Sequence, residues 1–150
     1  MAEQQLCTFW LNKIYFGIDV RHVQEVIRPQ ALTRVPLTPP DICGLINLRG
    51  QIITVIDLQQ RLDMGESARR NTQLETPQGF NIVVCSHHHE VVSLLVDDVG
   101  DVLEFPENTF QPPPATLKGR MRQILAGAYP IAEGFLLVVD TEKILNFKVI

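Results

Sequence analysis

Gly44-Leu45-Ile46-Asn47-Leu48-Arg49-Gly50-Gln51-Ile52-Ile53-Thr54-Val55-Ile56-Asp57-Leu58 holds two apolar runs, 45–48 and 52–58, on either side of Arg49-Gly50-Gln51. Runs of this length, rich in Ile, Val and Leu, are strand-sized. Gly50 takes a positive φ without steric cost, so the chain reverses there. Asp57 ends the second run where a helix cap belongs, and residues 59–63 follow as a helical turn. The stretch therefore reads as a β-hairpin leading into a short helix.

The same style extends in both directions. Upstream, runs 6–11 and 14–18 flank Asn12-Lys13, a two-residue turn whose type the residues leave open. Val20, Val23 and Ile27 then recur at spacings of three and four behind Asp19, which predicts a short amphipathic helix over 19–27, stopped by Pro29. A short strand is expected at 33–36, ending in Pro36. Downstream, residues 64–79 are nearly devoid of apolar side chains and read as a long solvated loop. Strands follow at 81–86, 91–96 and 98–105, the last bent near Gly100. Pro112-Pro113-Pro114 stiffens an extended connector. A hairpin is expected from 123–131 and 135–139, then a terminal helix over 141–147 capped by Asp140 or Thr141. Nine or ten short strands with few helices, and no βαβ alternation, give an all-β protein built from one large or two small barrels.

The chain of 150 residues, 45% hydrophobic and 20% charged, suits one compact domain. Its net charge of −4 argues against a nucleic-acid partner, which demands a basic surface. Cys7, Cys43 and Cys85 lie far apart without CxxC spacing, as expected of reduced thiols in a cytosolic protein. No apolar run approaches the roughly 20 residues of a membrane span, so insertion is not expected. Neither a signal peptide nor a lipidation motif is expected.

Few residues invite catalytic readings. His87-His88-His89 with Glu90 resembles a metal-binding run, but it stands at a polar hairpin tip with no further Cys/His cluster to complete a ligand set. Asp97-Asp98 follows an apolar strand without the parallel sheet that a phosphoacceptor or Mg²⁺ site needs, so it shapes a strand bend. Asp57 and Asp140 are helix caps. Ser67, Ser86 and Ser93 lie in no nucleophile elbow, and phosphate-binding glycine loops are missing. No catalytic residue, metal or cofactor is expected. Two other classes remain as alternatives: a small metal-dependent enzyme centred on His87-His88-His89, and a ligand sensor using a cleft between barrels. Glu25 and Arg49 read either as solvated surface charges or as an ion pair pinning the 19–27 segment to the barrel.

The residues 44–58 resemble the core motif of the CheW-like family, the adaptors of bacterial chemosensory arrays. The Asn47-Leu48-Arg49-Gly50 and Asp57-Leu58 elements match most specifically. Tyr15-Phe16-Gly17-Ile18, Val23-Gln24-Glu25-Val26-Ile27, Thr33-Arg34-Val35-Pro36, Leu95-Val96-Asp97-Asp98-Val99 and 136–145 follow in the family's order. Thr54 departs from it, standing where the family usually has proline.

The resemblance implies two small five-stranded SH3-like β-barrels side by side, with short helices, intertwined in one domain over residues 1–150. It also implies a cytoplasmic adaptor without catalytic activity, joining the cytoplasmic tips of methyl-accepting chemoreceptors to the regulatory domain of the histidine kinase CheA. Pilus motility or surface sensing is an alternative pathway for the same adaptor. Glu25 and Arg49 are expected to approach within ion-pair distance beside a binding surface. Val26, Gly44 and Val23 are expected at the receptor groove, with Gly44 admitting a receptor helix close to the backbone, and with Val26 the better surface residue. The kinase contact is expected barrel against barrel, with weak self-association through the same surface.

Overall fold

The computed structural model describes residues 2–65 and 76–146. Most of the 64–79 segment, Ser67 included, and the end of the terminal helix at Phe147 therefore lie outside the described residues. Among the described residues ten strands occur in chain order: β1 (Glu3–Leu11), β2 (Ile14–Asp19), β3 (Val23–Ile27), β4 (Ile42–Leu48), β5 (Gln51–Asp57), β6 (Phe80–Cys85), β7 (Val91–Val96), β8 (Asp98–Pro106), β9 (Leu125–Ile131) and β10 (Gly134–Val139). Three short helices accompany them, α1 (Leu58–Arg61), α2 (Gly119–Ile124) and α3 (Thr141–Asn146). The strands form two five-stranded sheets, ordered β8-β1-β2-β10-β9 and β3-β6-β7-β5-β4.

The two halves of the chain repeat one plan and exchange strands. Hairpins β1–β2 and β6–β7 each stay in one sheet, while the next strand crosses: β3 joins β6, and β8 joins β1. A second hairpin then follows in each half, β4–β5 and β9–β10, and each docks parallel to the other half's first hairpin, β5 on β7 and β10 on β2. Past each crossing strand the chain meets the far edge of its new sheet through one bridge. Thr33 and Leu45 exchange hydrogen bonds of 2.9 and 2.8 Å, and Gln111 and Ala128 exchange two of 2.9 Å. Each sheet is thereby rolled into a small barrel.

Period-two alternation sorts the core. Val92, Leu94 and Val96 of β7 face a large cluster that also takes Phe9, Leu11, Phe16 and Ile18 from the first barrel. Leu95, one residue out of phase, joins Cys43, Ile46, Ile53, Val55 and Val83 inside the second barrel. Leu6, Tyr129, Leu136 and Val138 fill the first. The largest apolar cluster thus lies between the barrels, which explains why β6 and β7 are apolar on both faces.

Several expectations are corrected. Residues 19–27 form no α-helix. Asp19 caps only a 3₁₀ turn over Val20–His22, accepting from the Arg21 amide at 2.9 Å, and the chain continues as β3. Val23, Val26 and Ile27 are β-branched, and pairing along β6 (Val26 opposite Ile82) outweighs a spacing that only imitates helical period. Residues 33–36 give a single bridge and no strand. The chain is helical at Gly119–Ile124, so β9 begins only at Leu125. The β4–β5 reversal is a two-residue turn, Arg49-Gly50, with φ of 52° and 87° and Leu48 opposite Gln51. Asn12 and Lys13 both take positive φ, the signature of a type I′ turn. Asp57 caps α1 through the Gln60 amide, and Asp140 caps α3 through Lys143.

Asp19 also anchors a polar chain in the first barrel. The Tyr129 hydroxyl donates to Gln4 at 2.6 Å, Gln4 donates to Asp19 at 3.3 Å, and Arg21 donates to Asp19 at 3.0 and 2.7 Å. Arg21's hydrogen bonds, chiefly, hold the Asp19 carboxyl down at about 2. A depressed carboxyl stabilises the fold above its unfolded value of about 3.9, and that contribution disappears as pH falls through 2. Asp19→Asn should therefore lower the urea midpoint at pH 6, with the gap to wild type closing as pH approaches 2.

Candidate functional site

The second barrel brings Glu25 of β3 to Arg49 of the β4–β5 turn. The turn is set by Gly50, whose amide donates to the Asn47 side chain at 2.8 Å. From there the Arg49 guanidinium reaches Glu25 with both terminal nitrogens, Nη1 to Oε1 at 3.2 Å and Nη2 to Oε2. This fork geometry fixes orientation as well as charge. Hydrogen bonding from Arg49 holds the Glu25 carboxyl below its usual range. Both side chains keep contact with water, Arg49 most of all. The pair therefore acts as a positional tie across the barrel surface, with little weight in stability.

Two exposed apolar side chains lie on the elements that carry the tie. Val26 points outward at 43% exposure, and Ile52, beside the same turn, is 62% exposed. Val23 and Ile27 are half-buried, Val23 against the core between the barrels and Ile27 against the interior of the second. Gly44 is buried in β4 at a register shift, with φ of 153°. A Cβ there would stand 2.7 Å from the Thr33 carbonyl oxygen. The space beside Gly44 is thus occupied by the chain itself at the barrel closure, and the expected close approach of an outside helix to its backbone has no room there. Gly127 does the same at the other closure, where a Cβ would stand 2.4 Å from the Gln111 carbonyl oxygen.

The first barrel carries a second apolar surface at the end formed by the β1–β2 and β9–β10 turns. Trp10 and Tyr15 stack with ring centroids 4.6 Å apart. Ile14 and Phe135 are about 40% exposed beside them. With Ile131, Lys13 and Glu133 they line an open depression of about 430 Å³.

Sequence reading missed the charged pair that joins the barrels. Asp41, just before β4, is 1% exposed and accepts from Arg61 Nε of α1 at 2.6 Å. Arg61 Nη1 donates at 2.7 Å to the carbonyl of Ile144 in α3. The only signal was Arg61 lying between Leu58 and Leu62, on a turn whose flanking positions are core.

The histidine run is a turn. Ser86 Oγ accepts from the amides of His88 and Glu90, each at 3.1 Å, and His89 takes a φ of 62°. The His87 amide donates to Glu142 at 2.6 Å, and the rings of His22 and His87 meet edge to face. Among the described residues no three His, Cys, Asp or Glu side chains converge as metal ligands. Asp97 braces the first hairpin by accepting from the Asn12 amide at 2.7 Å. Burial, then the charge of Asp19, pushes the Cys7 thiol up, away from a reactive thiolate. No helix among the described residues is long and apolar enough to cross a membrane.

Comparison with known proteins agrees with this architecture. Residues 5–148 match the family model of the CheW-like domain. The chain is 33% identical over 144 residues to the chemotaxis protein CheW of Klebsiella aerogenes, covering 95% of this chain and 82% of that protein. It is 27% identical over 144 residues to the chemotaxis protein CheW of Treponema pallidum, covering 96% and 83%. The fold superposes on the scaffolding protein TtCheW of Thermoanaerobacter tengcongensis with a TM-score of 0.82 at 26% identity, over 99% of this chain and 91% of that one. A family match along nearly the whole chain, with the same double-barrel fold, places this chain in the CheW-like domain family, the non-enzymatic scaffold proteins of chemotaxis.

Proposed function

We propose that the protein is a cytoplasmic adaptor that couples the signalling tips of methyl-accepting chemoreceptors to the regulatory domain of a CheA-type histidine kinase. The observation that supports this reading most is that each barrel exposes apolar side chains, Val26 and Ile52 on the second and Ile14 and Phe135 on the first, with the shared core between the barrels. A scaffold needs two such surfaces, and a large exposed apolar patch on a small domain marks an interaction site. The receptor contact lies on the second barrel, with Val26 facing the partner, Val23 half-buried farther back along the same strand, and the Glu25–Arg49 tie fixing β3 against the β4–β5 turn. Gly44 serves this surface by letting the barrel close. The kinase contact lies at the Trp10, Ile14 and Phe135 end of the first barrel, where a related barrel fold packs apolar against apolar. The same end supports weak self-association at high concentration. The protein reaches the membrane only through its receptors and folds as one domain.

Titration against a soluble receptor signalling fragment and a kinase regulatory domain tests this. Val26→Asp places a charge at the centre of one contact and should weaken receptor binding at least about tenfold, a cost near 1.4 kcal/mol, while kinase binding stays unchanged. Phe135→Asp should do the reverse. Loss of both partners in either folded variant, or of neither, rejects the assignment of one surface to each.

A further inference from the structure

Strand β8 has an open side. It pairs with β1 along one edge, from Glu3 opposite Pro106 to Trp10 opposite Asp98, and its other edge hydrogen-bonds to no backbone among the described residues. The barrel closes only farther on, at Gln111. Five consecutive residues, Gly100 to Glu104, are exposed, so both faces of the strand meet water there. Val102 and Leu103, pointing to opposite faces, are 53% and 37% exposed. An unpaired edge of this length with exposed apolar side chains is a ready template for another strand.

Charge decides which strand. Asp98, Asp101, Glu104 and Glu107 recur every third residue along the segment, and Glu3 joins them from β1. None of the five makes an ion pair with Lys or Arg among the described residues. Glu3 and Glu104 lie against each other, and their hydrogen bond, then their repulsion, holds the Glu3 carboxyl above its usual range. A second copy of β8 would bring carboxylate against carboxylate, which excludes homotypic pairing. An extended segment bearing Lys or Arg at alternate positions answers the carboxylates, and its apolar residues cover Val102 or Leu103.

We propose that the outer edge of β8 is a docking site for an extended, basic segment of a partner protein, which adds to the first barrel as an extra strand. Recognition of this kind takes its affinity from main-chain hydrogen bonds and its selectivity from the alternate side chains. The site starts at Asp98, opposite Trp10 of the kinase-facing end, and runs away from it along β8 to Pro106; the proposal does not depend on that assignment.

The test uses the full chain and two synthetic peptides of equal charge: alternating lysine and valine over seven residues, and the same peptide methylated at every backbone nitrogen. The unmethylated peptide should shift the amide resonances of residues 98–105 and slow their hydrogen exchange, with affinity falling as salt rises. The methylated peptide, which cannot donate main-chain hydrogen bonds, should not. The double variant Asp101→Lys, Glu104→Lys should bind about tenfold more weakly, since it reverses two exposed charges. Unchanged exchange in β1 and β2 of that variant shows that it is folded. Equal binding of both peptides, protection confined to other strands, or no shift up to the solubility limit of the peptide overturns the proposal.

Discussion

Replacing Arg61 with leucine should lower the free energy of unfolding by about 3–5 kcal/mol, measured by urea denaturation at neutral pH. The size comes from what is left behind. Asp41 is almost wholly buried, and its Oδ1 has no hydrogen-bond partner among the described residues. Arg61 supplies the compensating charge to Oδ2 and also satisfies the Ile144 carbonyl. With leucine at 61, a buried carboxylate and a carbonyl both lose their donors. Adding Asp41→Leu removes the orphaned charge, so the double variant should regain much of the loss. A single variant that loses under about 1 kcal/mol would show that the pair is solvated and does not hold α3 to the second barrel.

The second large effect is expected at the barrel closures. Gly44→Val should destabilise the protein by about 2 kcal/mol or more. Its Cβ would press on the Thr33 carbonyl oxygen, and its φ lies where side chains are strained. Because the obstructing atom is backbone, relief requires the 31–35 segment to leave β4, breaking both Thr33–Leu45 hydrogen bonds. The signature is faster exchange of the Thr33 and Leu45 amides at a shared rate. Gly127→Val should do the same to Gln111 and Ala128, since the second half repeats the arrangement. A Gly44 variant that impairs receptor binding therefore acts through barrel closure. Normal stability and exchange in both variants would mean that the bridges do not hold the barrels shut.

How much of this was legible in the residues follows from where the information lies. The β4–β5 hairpin was readable because Gly50, flanked by uninterrupted apolar runs, is a local signal. β6 and β7 were readable for the same reason, although only the structure shows that their two faces serve different cores. β3 was misread because Val20, Val23 and Ile27 carry a helical spacing, and the preference for strand comes from pairing with β6, more than 50 residues away along the sequence. The site divides in the same way. Glu25 and Arg49 were paired by their place in a family motif, and their bidentate geometry needed the turn to be seen. Gly44 was noticed for lacking a side chain, but the atom filling its space belongs to Thr33. Asp41 and Arg61 went unremarked because no local pattern links two charges on different elements, and charges are exposed by default.

The most direct measurement is co-sedimentation of a CheA-type kinase with membranes carrying a methyl-accepting receptor, with and without this protein. Wild-type protein should carry the kinase into the receptor pellet. Val26→Asp should leave both protein and kinase in the supernatant. Phe135→Asp should pellet with the receptors and leave the kinase behind. Kinase that pellets equally well without this protein, or that is carried equally well by both variants, would contradict a bridging role built on two separate surfaces.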